Sequence, residues 1–308
     1  MGQNQPYIMP FTRIVGQQDL KLALALYYIN PRIGGVLIEG ERGTAKSTLV
    51  RAFSQMMHQK LPVTLPINAT EDRVVGSWQL DKLLKSDPQW QDGLLQQADK
   101  GFLYVDEVNL LDDHIVNLLL DAASTGILVI QRDGNDQTVP VSFGLIGTMN
   151  PEEGSLRPQL LDRFGMCVSV KAERSAENRR AILEAILTFD EDPQSLIRKE
   201  ENNLTEERER IEGAKRKIEA GKVAFPEETA ALCIRISREY RAEGHRGDHV
   251  LALAAQALAA LQGGESTEPL HLQRVAQMAL QHRLIDPDTR ERLAWNPSKL
   301  NEIFDHVA

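Results

Sequence analysis

A glycine-bearing loop between an apolar run and a helical pattern is the strongest constraint on how this chain can fold. Residues 35–40, GVLIEG, have the pattern of a short buried strand, and residues 47–59, STLVRAFSQMMHQ, have that of a helix. The loop that joins them lies within GERGTAKST, residues 40–48. This order matches the context of the phosphate-binding pattern G-x-x-x-x-G-K-[ST], except that Ala45 replaces its second glycine.

Each position of this loop has an expected part in holding phosphate, because backbone N–H groups converge there at a helix N-terminus. We expect Gly40 and Gly43 to allow the tight turn. We expect Ala45 to be helical where the loop enters the helix, a conformation open to alanine. Lys46 would neutralise the β- and γ-phosphates, and Ser47 would bind Mg²⁺. The predicted nucleotide-binding residues are Gly40, Glu41, Arg42, Gly43, Thr44, Ala45, Lys46, Ser47 and Thr48.

Polar residues end two further apolar runs, as a phosphate-loop ATPase requires. The run FLYVDE ends in Asp106 and Glu107, and LIGTMN ends in Asn150. Asp106 is predicted to hold Mg²⁺ and Glu107 to orient the attacking water. The amide of Asn150 could reach the γ-phosphate or that water. Loop, acids and amide in one chain favour nucleotide hydrolysis over a coincidence of turn residues.

The chain as a whole reads as an α/β region followed by helices. Strand patterns at 62–68, 101–105, 143–148 and 166–170 alternate with helices, which predicts a parallel sheet covered on both faces. Two β-rich arms around Asp133-Gly134 predict a hairpin. The predicted domains are an α/β nucleotide-binding domain, 1–190, a charged linker helix, 191–222, and a helical lid, 223–308.

Charge and composition argue against several functional classes. The net charge of −9 disfavours non-specific binding of nucleic acid. The apolar stretch at 250–261 is too short to span a bilayer. The N-terminus lacks the pattern of a signal peptide, so we expect a cytoplasmic protein. Cys167 and Cys233 lie in apolar surroundings and are expected to be free thiols.

Five long motifs resemble the ATPase motor subunits, or I subunits, of magnesium chelatases, which belong to the AAA+ ATPases. The resemblance runs from about residue 10 to about residue 285. It rests on FTRIVGQQDLKLALALYYINPRIGGVLIEGERGTAKST, ATEDRVVGS, GLLQQADKGFLYVDEVNLLDDHIVNLLLDAASTG, NPEEGSLRPQLLDRFG and HRGDHVLALAAQALAAL.

The resemblance implies further assignments on these motifs. Residues 69–77 resemble an insert in helix 2 that faces the axial side of a ring, and 131–138 a pre-sensor hairpin. Arg163 in LLDRFG matches an arginine finger that completes a neighbouring subunit's site, with Asp162 at the same interface. Arg246 in GHRGD matches the sensor-2 arginine of the lid. The predicted catalytic set is therefore Glu107, Asn150, Arg163 and Arg246, with Ser47 and Asp106 on the metal.

The resemblance also implies cofactors and partners. The cofactors are ATP and Mg²⁺. The partners are further copies of the chain in a hexameric-type ring, a D-type subunit with an integrin-like metal-binding domain, and a large porphyrin-binding subunit. No nucleic acid or membrane is implied. The implied reaction is ATP-driven insertion of Mg²⁺ into protoporphyrin IX.

Some features differ from the photosynthetic subunits and leave two alternatives open. Ala45 replaces a glycine, GTMN replaces a smaller Ser-Gly pair before the sensor asparagine, and residues 59–68 are a short connection. The same motor could serve a cobalt chelatase in cobalamin synthesis. It could instead be a MoxR-like chaperone that remodels a partner protein, since such loops often carry alanine before the lysine.

Overall fold

The chain forms two compact units, each built from segments that are distant in sequence. The computed structural model describes residues 7–41, 43–78, 89–132, 135–242, 244–286, 288–289 and 291–305. The first unit comprises Met1–Gln18, Ile38–Ser155 and Ser169–Arg208. The second unit comprises Asp19–Leu37, Leu156–Val168 and Glu209–Ala308.

Helices predominate in the second half of the chain. Among the described residues they are α1 Gln18–Ile29, α2 Lys46–His58, α3 Glu71–Val75, α4 Leu94–Gln97, α5 Asp113–Thr125, α6 Pro158–Leu161, α7 Ala176–Glu191, α8 Pro193–Glu219, α9 Glu227–Glu239, α10 Arg246–Leu261, α11 Pro269–Leu280 and α12 Pro297–Asp305. The sequence patterns did not predict α7. The sequence did hold one signal of a helix start, since Ser175 is a residue type that often caps helix N-termini. In the structure its hydroxyl accepts a hydrogen bond from the N–H of Asn178 as the N-cap of α7.

The strands of the described residues form one central sheet and two antiparallel two-stranded ribbons. They are β1 Val36–Gly40, β2 Val63–Leu65, β3 Gly76–Trp78, β4 Trp90–Asp92, β5 Gly101–Val105, β6 Ile127–Arg132, β7 Asn135–Pro140, β8 Phe143–Met149 and β9 Met166–Val170. The sheet has the order β2-β5-β8-β1-β9 and is parallel, which confirms the predicted fold class. Because β1 lies beside β8, and β8 beside β5, the segments that follow these three strands meet at one edge.

The core of the first unit explains how α2 is held behind the loop. Leu49, Val50, Phe53 and Met57 face inward at helical spacing and are buried. The Phe53 ring packs against Phe11 and Phe102, with ring centroids 5.4 Å and 5.7 Å away. A helix anchored in this way gives the loop at its N-terminus a fixed base.

The helical part of the second unit owes its close packing to small residues. Ala254, Ala255, Ala257 and Ala259 of α10 are buried, and α10 packs against α11. Methyl side chains let two helix backbones approach closely. No helix among the described residues is long and apolar enough to cross a bilayer.

Candidate nucleotide site

The loop between β1 and α2 depends on backbone conformations that its small residues supply. Gly40 passes so close to β9 that a Cβ at this position would lie 2.1 Å from the carbonyl oxygen of Val170. Gly43 has a φ of 78°, in the left-handed region that glycine adopts without strain. Thr44 is buried, and its hydroxyl donates to the Glu41 carbonyl at 2.8 Å. The loop is thus tied back on itself.

The prediction that Ala45 is helical is wrong. Ala45 has φ 60° and ψ 21°, a left-handed conformation, and α2 begins one residue later. Left-handed residues turn successive N–H groups toward one concavity, which is how backbone nests bind anions. The loop therefore uses alanine where glycine is favoured, and a conformation that costs an L-residue about 1–2 kcal/mol is kept.

Lys46 lies at the start of α2 with its ammonium group over the loop. Its Nζ donates to the carbonyls of Gly40 at 2.5 Å and Glu41 at 2.8 Å. Burial lowers the pKa of Lys46, and the nearby carboxylates of Asp106 and Glu107, among others, oppose that shift. The predicted lysine and acids are thus electrostatic neighbours.

The remaining loop positions follow the prediction in place, although their contacts to a nucleotide stay predictions. Ser47 is half-buried and Thr48 is exposed in the first turn of α2. The carbonyl oxygen of Glu41 accepts from both the Thr44 hydroxyl and the Lys46 ammonium group. Arg42 lies outside the described residues.

The predicted acids follow β5, and β8 fixes their geometry. Thr148 of β8, 1% exposed, donates its hydroxyl to Oδ1 of Asp106 at 2.6 Å. The N–H of Glu107 donates to the same Thr148 hydroxyl at 3.1 Å. Tyr104 also donates to Oδ1 of Asp106, at 3.1 Å, so neither bond uses Oδ2. One threonine therefore holds the carboxylate of Asp106 and the backbone of Glu107.

Glu107 is held in an unusual backbone conformation. Its φ of 53° and ψ of 55° place it in the left-handed region, at the start of the 3₁₀ turn Val108–Leu110. Strained non-glycine residues persist where the surroundings fix them, and they concentrate at functional sites. The strained backbone of Glu107 supports the functional role that the sequence pattern had suggested for this residue.

Asn150 follows β8 directly, as predicted. Its side chain is 8% exposed, and its Oδ1 accepts from the N–H of Glu152 at 3.3 Å. This bond caps the short turn Pro151–Glu153 and fixes which way the amide faces. The capping role and the predicted sensor role are compatible, because the Nδ2 group stays available for a further acceptor.

Arg163 and Arg246 both belong to the second unit. Burial lowers the pKa of the Arg163 guanidinium, and the positive charge of Arg246 lowers it further. Like charges repel each other, and an anion near both guanidinium groups would offset this repulsion. Their catalytic roles remain predictions.

Two segments expected from the resemblance, the insert at 69–77 and the hairpin at 131–138, can be placed on elements of the structure. The insert corresponds to α3 and the start of β3, and the hairpin lies within the β6–β7 pair. The segment 69–77 contains α3 and begins β3, which pairs antiparallel with β4. β6 pairs antiparallel with β7, from Ile127 opposite Pro140 to Arg132 opposite Asn135. The predicted turn residues Asp133 and Gly134 lie outside the described residues.

Sequence reasoning missed three residues that organise these sites: Thr148, Tyr104 and Arg283. Thr148 and Tyr104 had a weak signal, because each lies near the end of a strand, two residues before a predicted site residue. Arg283 had none. It is 1% exposed and binds the segment around Arg163 in the second unit.

A parallel sheet of this order, with a phosphate loop, paired acids and an asparagine at one edge, defines a P-loop ATPase of the AAA class. Residues 35–164 match the AAA domain of the dynein-related subfamily, and residues 230–303 match the AAA lid domain. A crystal structure from Cytophaga hutchinsonii has the same fold, with a TM-score of 0.68 over 97% of this chain and 92% of that one, at 19% identity.

Closer relatives narrow the class. The magnesium-chelatase 38 kDa subunit of Rhodobacter capsulatus is 41% identical over 90% of this chain and 88% of the relative. A magnesium-chelatase subunit ChlI homologue from Methanocaldococcus jannaschii is 37% identical over 96% of this chain and 89% of the relative. A structure of the complex between subunits BchI and BchD of magnesium chelatase matches with a TM-score of 0.52 and 39% identity, over 92% of this chain and 98% of that one. The chain belongs to the magnesium-chelatase I-subunit family.

Proposed function

We propose that this chain is the ATP-hydrolysing motor subunit of a magnesium chelatase and drives insertion of Mg²⁺ into protoporphyrin IX. The observation that carries the proposal is the electrostatic proximity of Lys46, Asp106 and Glu107, with Thr148 bonded to the Asp106 carboxylate and to the Glu107 backbone. Phosphoryl transfer to water needs positioned charge rather than covalent chemistry. This arrangement would supply charges of both signs beside the loop.

The donor set of the loop fits a nucleotide with its magnesium ion. The Asp106 carboxylate and the Ser47 hydroxyl offer hard oxygen ligands of the kind Mg²⁺ prefers. When bound, the ion would neutralise charge that develops on the phosphate oxygens. Lys46 would leave its two carbonyl partners for the β- and γ-phosphates, and backbone N–H groups from Gly40 to Thr48 would line the phosphate chain.

The remaining residues place the water and complete the charge. Glu107 would orient the attacking water, and Asn150 would contact that water or the γ-phosphate. Arg163 would reach the phosphates bound by a neighbouring copy in a ring. The proximity of Arg246 supports a joint role, because a phosphate group relieves the repulsion between the two guanidinium groups.

The partners follow from the relatives. We propose a hexameric-type ring that works with a D-type subunit and a large porphyrin-binding subunit. The similarity to the BchI subunit in its complex with BchD supports the D-type partner. The magnesium-chelatase relatives favour this function over a cobalt chelatase or a MoxR-like chaperone. We also propose that the protein acts in the cytoplasm.

Reconstitution with a D-type subunit and a porphyrin-binding subunit tests the proposal. With protoporphyrin IX and MgATP, porphyrin fluorescence should shift to that of the magnesium complex. Lys46→Ala should abolish the shift, because it removes the charge that holds the phosphates. Insertion of Co²⁺ but not Mg²⁺ would support the cobalt chelatase. Failure with both metals, while a native pull-down recovers an unrelated client protein, would support the chaperone.

Mixing two inactive variants tests the role of Arg163 separately. Arg163→Ala should bind ATP but hydrolyse little, since an arginine finger contributes roughly 10³–10⁵-fold in rate. Lys46→Ala lacks a working pocket but keeps its finger. Mixed rings would contain interfaces that join an intact pocket to an intact finger, so activity should return in part. A rate at background for all mixing ratios, with mixed rings verified by native mass spectrometry, would contradict action between subunits.

A further inference from the structure

A single buried guanidinium, that of Arg283, binds the turn that carries Arg163. The Nε group donates to Oδ1 of Asp162 at 3.1 Å. The Nη2 group donates to the carbonyls of Asp162 at 2.9 Å and Phe164 at 2.7 Å. The Nη1 group donates to the carbonyls of Gly165 at 2.9 Å and Ala279 at 2.5 Å. The five N–H groups of an arginine thus have five oxygen acceptors.

Four of these five acceptors lie in one short turn, and they flank Arg163 on both sides. They are two oxygens of the residue before it and the carbonyls of the two residues after it. None of the bonds involves the Arg163 side chain. The contacts therefore fix the backbone from which that side chain projects.

We infer that Arg283 is a positioning residue for ATP hydrolysis, which presents Arg163 to the neighbouring subunit in one orientation. The inference rests on the proposed role of Arg163 as an arginine finger. A finger that lies on a turn rather than within a strand or long helix needs external support, since displacement of a reacting group by about 1 Å costs roughly 10²-fold in rate.

The electrostatics argue for a geometric role rather than a stabilising one. Burial lowers the pKa of Arg283 to about 10, while the Asp162 carboxylate opposes the shift, so the side chain stays charged at neutral pH. Arg246 adds further repulsion. Buried charges contribute little net stability compared with apolar residues of the same size. A cation kept here, against burial and repulsion, is explained by the rigid fork it offers the turn.

The environment of Arg283 adds no competing charge switch. Its neighbour His282 is buried, and its Nε2 lies 3.1 Å from the Phe164 carbonyl. Burial and the charge of Arg283 hold the pKa of His282 well below its usual value. His282 is thus neutral at physiological pH, so its titration does not change the charge beside the turn in that range.

The test places one substitution in either of two chains. Arg283→Lys keeps the positive charge but loses the planar fork, and Arg283→Gln loses both. Each is introduced into the Lys46→Ala chain, which supplies the finger, or into the Arg163→Ala chain, which supplies the pocket. The restored ATPase rate is then measured in mixed rings. Arg274→Gln is the matched control, because Arg274 lies on α11 and pairs with Asp19 at 2.6 Å, away from this turn.

We expect loss only when the Arg283 substitution is in the finger-supplying chain. There the restored kcat should fall roughly 10- to 10²-fold with Arg283→Gln, and less with Arg283→Lys, while the KM for ATP stays unchanged. The same substitution in the pocket-supplying chain should have little effect, as should Arg274→Gln in either chain. A general folding defect would reduce the rate in both placements.

Two results would overturn the inference in distinguishable ways. Equal loss in both placements, or no loss in either, would show that Arg283 does not act through the finger of its own chain. Absence of any restored activity between the parental variants would overturn the role of Arg163 itself and this inference with it. The parental mixture therefore separates failure of the proposed function from failure of the positioning role.

Discussion

Replacing Ala45 by glycine should make the protein more stable, although it adds a flexible residue to the helix start. In the folded state, Ala45 has a φ of 60°, which costs an L-residue about 1–2 kcal/mol and glycine almost nothing. Glycine also increases the conformational freedom of the unfolded chain, which costs about 0.4–1 kcal/mol. The difference predicts a gain of about 0.8 kcal/mol in the free energy of unfolding.

The matched control makes the same chemical change at a residue with helical backbone. Ala181 lies inside α7 and belongs to the first unit, like Ala45. Ala181→Gly should lower the free energy of unfolding by about 1 kcal/mol, because a helix interior disfavours glycine. The two variants should therefore shift stability in opposite directions, with a separation of about 1.8 kcal/mol.

Equilibrium unfolding in urea, followed by tryptophan fluorescence, measures both shifts. Trp78 and Trp90 report on the first unit, because both belong to it. Their rings contact each other, with centroids 5.5 Å apart. Calorimetric titration should show that Ala45→Gly binds ATP about as well as the parent chain. If Ala45→Gly destabilised the protein as much as Ala181→Gly does, the left-handed assignment of residue 45 would be refuted.

Five further predictions concern the site and one buried thiol. Lys46→Ala should abolish or greatly weaken ATP binding in calorimetry, and unchanged affinity would remove the lysine from the site. Glu107→Gln should bind MgATP and form rings but hydrolyse very slowly, so near-normal turnover would contradict its role. Thr148→Val removes the hydroxyl that accepts from the Glu107 N–H and that donates to Oδ1 of Asp106, while the Tyr104 donor to Asp106 remains. A buried polar group that loses its partner costs about 1–3 kcal/mol, so kcat should fall while ATP still binds. Burial raises the pKa of Cys233 from 9.0 to about 12, so its thiol should resist alkylation at pH 8 until urea unfolds the chain. Because the unfolded thiol ionises first, the contribution of Cys233 to stability should decline as pH rises between about 9 and 12.

Local patterns were sufficient to predict the central sheet. The strands that precede Lys46, Asp106 and Asn150 are short apolar runs, and parallel strands buried on both faces have this pattern. The polar residues after them mark the carboxyl edge, so their proximity follows from the fold class. The fold, and the placement of the candidate site residues after these strands, could therefore be predicted from the residues between about 35 and 150.

Backbone geometry and long-range contacts could not be predicted from the sequence in the same way. Ala45 gave no sign of its left-handed conformation, because alanine favours helices and the surrounding loop overrides that preference. Arg283 gave no sign of its partners, because its role depends on carbonyl oxygens of a turn 118 to 121 residues earlier. Carbonyls are present in every residue, so no sequence pattern distinguishes the ones that bind an arginine.

The distance in sequence between Arg283 and its turn has a consequence for synthesis of the chain on the ribosome. Asp162 emerges 121 residues before Arg283. At synthesis rates of about 5–20 residues per second, about 6–24 s pass between the synthesis of this turn and that of Arg283, whose side chain binds it. During that interval the nucleotide loop and its acids are already made, whereas the arginine turn still lacks its buried support. If Arg163 is the finger, a nascent chain would therefore be able to form its ATP pocket before it could offer a supported finger to a neighbouring subunit, and ring activity would wait for the synthesis of Arg283.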